Sequence, residues 1–130
     1  MLIVNVDTVG EAAIVECEGM ILSNDDALQL YDAITWQATI RVIVIDLSKV
    51  SVIAAVGLNM LSLLQRRARQ RVIRLKLFNP HPSVRRDLEY AGLLYDLEFA
   101  SLGEVMALVI AAGGSPTAGY LTQSEGTGAR

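Results

Sequence analysis

Residues 41–47 (RVIVIDL) form a nearly continuous apolar run, and this run constrains the fold more than any other feature of the sequence. A strand with one face in water alternates apolar and polar residues, whereas an unbroken apolar strand is covered on both faces. The segment that follows repeats apolar residues at helical spacing, at Leu58, Leu61, Leu64 and Ala68. A covered strand followed by an amphipathic helix predicts an interior strand of a sheet with helices packed on it.

The other periodicities predict the element order β-β-α-β-α-β-α-β-α, which is an α/β fold. Strands are expected at residues 2–7, 12–18, 41–47, 73–78 and 97–99. Such an order fits a four- or five-stranded mixed sheet with about four helices mostly on one face. The residues expected in the core are Ile43, Ile45, Leu58, Leu61, Leu64, Leu75, Leu77, Leu88, Leu93, Val105 and Leu108.

The helix boundaries follow from local signals. Ser23–Asp26 and Ser101–Glu104 have the spacing of capping boxes that open the first and last helices. Apolar spacing carries the first helix through Ala38, and the second helix begins near Val56. Gly92 is expected to end the third helix.

Length and composition limit the classes of protein. The chain has 130 residues, about one domain, and 52% of them are hydrophobic, which excludes global disorder. Charges interrupt every apolar run before it reaches the roughly 18 residues of a membrane span, so no direct membrane insertion is expected. Cys17 is the only cysteine, which fits a cytoplasmic setting. A net charge of −3 argues against nucleic acid as a partner.

The positive charge is nevertheless concentrated. Six cations fall within eleven residues: Arg66, Arg67, Arg69, Arg71, Arg74 and Lys76. They are either a solvated helix end, where the macrodipole favours cations, or a docking patch for an acidic partner. Trp36 lies on the polar side of the first helix and is a candidate contact for a partner or a second copy of the chain. His81 stands alone, so neither a metal site nor a catalytic triad is indicated.

The last residues differ from the rest. Residues 113–130 are small, polar and aperiodic, so the chain divides into a domain over 1–112 and a flexible tail or linker over 113–130.

The turn between the central strand and the second helix lacks polar residues. Helix starts are usually capped by Ser, Thr, Asp or Asn, but this turn reads Ile53-Ala54-Ala55-Val56. On either side of it stand Asp46-Leu47-Ser48-Lys49-Val50 and Gly57-Leu58. These residues resemble the signature of STAS domains (sulfate transporter and anti-sigma factor antagonist). That signature runs Asp-Leu-Ser, one residue, Val, one residue, an aromatic, Ile or Met, and then Asp-Ser-Ser-Gly-Leu. Here Asp46-Leu47-Ser48-Lys49-Val50, Ile53 and Gly57-Leu58 match it, with Val52 in the aromatic position.

The resemblance extends over about residues 2–112 and implies the STAS-like fold. Gly19 matches a family glycine, and SVRRDLEYAGL resembles the family's third helix. In the anti-sigma factor antagonists, the Asp-Ser-Ser segment carries a serine that a partner kinase phosphorylates. Ala55 occupies that position here, so the resemblance implies a partner-binding turn without its phosphorylation switch.

The leading hypothesis is therefore a non-catalytic protein-binding module that needs no cofactor. The partner that the resemblance implies is an anti-sigma factor of the serine-kinase type, and the alternative is the ATPase of a membrane lipid transporter. A nucleotide-binding sensor is a third alternative, although no phosphate-binding glycine loop precedes a helix. Self-association as a homo-oligomer stays open. The candidate partner-binding residues are Ser48, Ser51, Ala54, Ala55, Val56, Gly57 and Asn59, within a turn and helix at 48–65; Ser51 is also a weak candidate for phosphorylation.

Overall fold

A computed structural model of the chain describes residues 1–34 and 36–111, which form a five-stranded sheet and four helices. The strands are β1 (Leu2–Val9), β2 (Ala12–Ile21), β3 (Val42–Ile53), β4 (Arg74–Phe78) and β5 (Glu98–Ala100). The helices are α1 (Asn24–Ala33), α2 (Ala55–Gln70), α3 (Pro82–Tyr90) and α4 (Leu102–Ala111). The strands lie in the order β1-β2-β3-β4-β5, and only the β1–β2 pair is antiparallel. The predicted α/β fold with a mixed sheet is confirmed.

The sheet carries apolar packing on both faces. Ile43 and Ile45 of β3 belong to a large core that also holds buried residues of α1, α2 and α3. Val44, which points to the opposite face, packs in a smaller core with Val105 and Val109 of α4. Three helices therefore cover one face and one helix covers the other. This arrangement explains why the β3 sequence shows no alternation.

Most of the predicted core is buried. Eight of the eleven residues are buried, namely Ile43, Ile45, Leu61, Leu64, Leu75, Leu77, Leu88 and Val105. Leu58, Leu93 and Leu108 are only partly buried and pack at the edges of the two cores. The apolar spacing therefore identified the buried faces of the helices but not the width of each face.

Strand β3 is longer than the apolar run predicted. It continues through Ser48 to Ile53 because β2 shifts register twice against it, between Glu16 and Glu18 and between Gly19 and Met20. Such irregularities let a strand continue while its side chains are re-aimed. The expectation that residues 48–53 form a turn was wrong, and the turn itself is confined to Ala54.

The helix signals were right at most ends. Both predicted capping boxes form, at Ser23–Asp26 and at Ser101–Glu104. Gly92 has φ +73° beyond α3, and the N–H of Leu93 donates to the carbonyl of Leu88 at 2.9 Å, so the predicted stop is confirmed.

The end of α1 was predicted wrongly. Helix α1 stops at Ala33 because Ile34 takes an extended backbone, with φ −79° and ψ 124°, and Ala38 lies outside the helix. None of the described helices is long and apolar enough to cross a bilayer. The predicted tail at 113–130 lies outside the described residues, so the domain boundary stays a prediction.

Candidate functional site

The start of α2 has no side-chain cap, and a neighbouring strand instead holds its N-cap residue through the backbone. Ala54 is the N-cap residue and makes no side-chain hydrogen bond. Its own N–H donates to the carbonyl of Ile21, the last residue of β2, at 2.8 Å, and the N–H of Gly57 donates back to the Ala54 carbonyl at 2.9 Å. Two of the N–H groups that a helix start leaves unpaired are thereby satisfied. No residue near the turn in the sequence indicates this contact with β2.

The side chains of this turn face solvent to different extents. Ala55 is exposed, and Ala54 and Val56 are half-buried. All three candidate residues of the turn are therefore accessible, at least in part, to a partner. A methyl group stands at the surface where the resemblance puts a phosphorylated hydroxyl.

Exposed apolar side chains lie beside the turn. Met20 pairs with Val52 across β2 and β3, and Leu22 follows the Ile21 that holds the turn. Met20, Leu22 and Val52 are exposed by 37%, 46% and 45%. Together with Ala55 they form what we call the apolar rim. The run Met20-Ile21-Leu22 carries three consecutive apolar residues, and this is the sequence signal of the rim that the sequence analysis missed.

Gly57 is required by space rather than by backbone conformation. A Cβ atom on Gly57 would lie 2.6 Å from Cγ1 of Ile53 and 2.8 Å from Cγ2 of Ile21. The glycine is buried and lets α2 approach the ends of β2 and β3 closely. It therefore positions the turn and offers no surface to a partner, which corrects its place among the candidate contacts.

The remaining candidate residues lie on β3 and α2. Asp46 is buried, and its Oδ1 accepts a hydrogen bond from the N–H of Ser48 at 2.9 Å. The Ser51 hydroxyl is exposed and donates to the carbonyl of Gly19 at 3.5 Å, a long and weak contact. Asn59 is exposed at the beginning of the second turn of α2. Asp46 thus fixes the backbone leading to the turn.

Acidic groups meet on the sheet near this end. Glu16 lies opposite Asp46 in register, and burial, followed by the charge of Asp46, raises the pKa of Glu16. Burial also raises the pKa of the Cys17 thiol to about 12. Cys17 therefore stays protonated and unreactive at neutral pH.

The predicted cluster of cations is divided between two environments. On β4, Arg74 pairs with Glu98 at 2.9 Å and Lys76 pairs with Glu104 of α4. At the end of α2, the guanidinium of Arg67 lies 5.5 Å from the ring centre of Trp36. The cluster is therefore not one continuous patch.

The last two candidate residues from the sequence are Trp36 and His81. Trp36 lies beyond the end of α1 and is partly buried against the large core, so it is not on a helix face as predicted. His81 is exposed at the start of α3. Over residues 1–34 and 36–111, no group of His, Cys, Asp and Glu is arranged to hold a metal ion.

Solved structures with this fold include three with high coverage. The anti-sigma factor antagonist SpoIIAA in its unphosphorylated form has a TM-score of 0.68 at 19% identity, covering 84% of this chain and 97% of SpoIIAA. An anti-sigma factor antagonist from Mycobacterium paratuberculosis has a TM-score of 0.65 at 21% identity, covering 95% of this chain and 93% of that protein. A sulfate transporter family protein from Wolinella succinogenes has a TM-score of 0.62 at 20% identity, covering 79% and 88% respectively.

At these identities the likeness is one of fold. No curated protein sequence matches the chain. The sequence profile of the STAS domain, however, matches residues 4–104, which is most of the chain. The sheet order, the two-sided helix cover and this match agree, and the chain belongs to the STAS domain family.

Proposed function

We propose that this STAS domain is a non-catalytic regulatory module that holds a protein partner through the start of α2. The proposed contact consists of the apolar rim, the half-buried Ala54 and Val56, and the exposed Asn59. Ser48 and Ser51 lie on β3 just before it and form its polar edge. Binding at this surface is not regulated by phosphorylation of the residue at position 55.

One observation carries the proposal: Ala55 is exposed at the beginning of α2 and has no hydroxyl group. A kinase that modifies this position in an antagonist has no acceptor here. A phosphate would add about two negative charges to a contact surface and release a partner. With alanine in its place, that route of release is absent.

The chemistry around the turn supports binding rather than catalysis. An exposed apolar group rimmed by polar residues is typical of interaction sites on soluble proteins. The Cys17 thiol is buried and its pKa is raised. The Asp46 carboxylate is buried and accepts a hydrogen bond from the Ser48 N–H. Neither group has the access and activation that a nucleophile or a general base needs.

The first candidate partner is an anti-sigma factor of the serine-kinase type, from the motif resemblance. The second is the ATPase of a membrane lipid transporter, which Ala55 favours because such a partner needs no phosphorylation switch. A nucleotide-sensing role has no comparable support from the turn.

Affinity capture with three versions of the chain tests the proposal. Wild type, Ala55→Asp and Ser83→Asp are immobilised, and captured proteins are identified by mass spectrometry. Ser83 is exposed in the first turn of α3, so its aspartate adds the same charge at a different helix start. We expect wild type and Ser83→Asp to retain a serine-kinase anti-sigma factor that Ala55→Asp loses. Recovery of a transporter ATPase in that pattern supports the alternative, and equal capture by all three versions overturns the role of the turn.

A further inference from the structure

A second concave surface lies at the other end of α2. It is a cleft of about 330 Å³ lined by Trp36, Arg41 and Arg71, with Ile40 and Ile73 among its apolar residues. The sixteen residues of α2 separate it from the start of that helix by roughly 24 Å at the usual helical rise. The cleft is therefore distinct from the surface proposed above.

Two cations that lack a carboxylate partner line this cleft, and one of them, Arg71, makes only a long hydrogen bond of 3.5 Å from Nη1 to the carbonyl of Trp36. In the described part of the chain, neither Arg41 nor Arg71 has a carboxylate within 4.0 Å, whereas Arg74 on the adjoining strand is paired with Glu98. The chain as a whole carries a net charge of −3. Unpaired guanidinium groups gathered in a concavity of an acidic protein favour an anionic ligand.

The aromatic residue in the cleft organises these cations. The guanidinium carbons of Arg67 and Arg71 lie 5.5 Å and 5.8 Å from the ring centre of Trp36, within the range of cation–π contact. The indole N–H of Trp36 is covered and has no acceptor among the described residues. Buried polar groups normally have a hydrogen-bond partner, so this donor is an exception that calls for an acceptor.

The backbone on both sides of the cleft is firmly held. The N–H of Arg41 donates to the carbonyl of Glu11 at 2.7 Å, and the carbonyl of Arg41 accepts from the N–H of Arg74 at 2.9 Å. Arg71 is held by the end of α2, where the N–H of Ile73 donates to the Ala68 carbonyl at 2.8 Å. The backbone of both arginines is thus fixed, so a ligand has to order only their side chains.

We propose that this cleft docks an acidic segment of a partner protein, with aspartate or glutamate carboxylates on Arg41 and Arg71. On binding, the exposed Arg71 side chain exchanges its contact with the indole ring for hydrogen bonds to a carboxylate. Arginine pairs with carboxylates through parallel hydrogen bonds. Trp and Arg are also the residue types that most often dominate protein interfaces.

The local backbone favours separate carboxylates over one phosphate. The cleft has no helix N-terminus whose N–H groups could converge on one compact anion, because it adjoins the C-terminus of α2. Its donors are side chains on two separate segments, one just before β3 and one at the end of α2. A peptide that offers one carboxylate to each arginine matches that arrangement.

The chain's single tryptophan reports directly on the cleft. We propose a fluorescence titration of the full chain with an acetylated, amidated hexa-aspartate peptide. We expect a saturable change in Trp36 emission. The Kd read from this titration should rise at least tenfold in Arg41→Gln and in Arg71→Gln. Arg86→Gln, which removes an exposed arginine from α3, is the matched control and should titrate like wild type. Thermal melts of each variant confirm that the fold is retained.

Several outcomes overturn the proposal. If the emission shows no saturable change, the cleft is not a binding site for the peptide. The same holds if Arg86→Gln weakens peptide binding as much as the two cleft variants do. If inorganic phosphate binds more tightly than the peptide, or if a six-nucleotide oligothymidylate binds as tightly, the ligand of the cleft belongs to another class than acidic peptides. Ala55→Asp should titrate like wild type, so this test and that of the proposed function fail independently.

Discussion

At the scale of single residues, Val72 has the most unusual backbone. It takes φ +57° immediately after α2, and its N–H and that of Ile73 close the helix on the carbonyls of Arg69 and Ala68. Glycine is the usual residue at this position of a helix end. A β-branched residue is strained in this conformation. Because Val72 is 80% exposed, its side chain buries too little apolar surface to offset that strain.

Val72→Gly should therefore stabilise the chain. Relief of a left-handed conformation, worth about 1–3 kcal/mol, outweighs the roughly 0.5–1 kcal/mol of extra chain entropy that glycine loses on folding. We expect a net gain of about 1 kcal/mol in urea unfolding. Val72→Ala removes the branched side chain but keeps a Cβ atom, so it should gain less. Equal gains in the two variants would place the effect in the side chain rather than the backbone.

Gly57→Ala should have the opposite effect. The new methyl group would crowd Ile21 and Ile53, and overpacking of this kind costs about 1–3 kcal/mol. Gly103→Ala in α4 is the matched control, because its Cβ would meet only the Ser101 hydroxyl at 3.8 Å. Alanine favours helix over glycine, so the control should be neutral or stabilised by up to about 1 kcal/mol in the same unfolding assay. A stable Gly57→Ala would show that the start of α2 can move away from the strands.

At the scale of elements, local sequence signals were reliable where the cause was local. The Ser23–Asp26 box, the Gly92 stop and the β3 apolar run each express a constraint within a few residues. The continuation of β3 to Ile53 depends instead on irregular pairing with β2, and no nearby residue encodes it. The cap on α2 has the same origin, because the Ile21 carbonyl belongs to a strand far away in sequence.

The acidic pair between β2 and β3 makes stability depend on pH. The folded state raises the pKa of Glu16, chiefly by burial and next by Asp46, while Lys49 opposes the shift and Asp7 adds to it. Ionised Glu16 therefore destabilises the fold above its unfolded pKa of about 4.3, and the penalty vanishes below that pH. Glu16→Gln should melt higher than wild type at pH 7 and lose that advantage as the pH falls toward 4.

Asp26 supplies a control of opposite sign. Hydrogen bonds from the N–H of Leu22, and then of Ser23, lower its pKa, so the charge stabilises the fold above the unfolded pKa. That stability is lost as the pH falls through the folded pKa. Asp26→Asn should melt lower than wild type at pH 7, and the gap should close in acid. A Glu16→Gln advantage that persists unchanged at pH 3 would place its origin in packing rather than charge.

At the scale of the whole molecule, two surfaces lie at opposite ends of α2. The sequence located the first through the family motif, and Ala55, Val56 and Asn59 reach the surface as expected. It indicated the second only as a run of arginines and a partly exposed Trp36. Arg74 has a carboxylate partner and Arg71 has none among the described residues, a distinction that depends on which strand brings a carboxylate near each cation.

The most direct test of the central claim is the affinity of Ala55→Asp for a confirmed partner, measured beside its melting temperature. The carboxylate suits a helix N-terminus, so the melting temperature should be unchanged or slightly raised. Binding should weaken by about 2 kcal/mol or more, roughly thirtyfold, because the charge is buried against an apolar contact. Ala55→Ser should bind like wild type. Wild-type affinity in Ala55→Asp would contradict the claim and move the partner surface away from the start of α2.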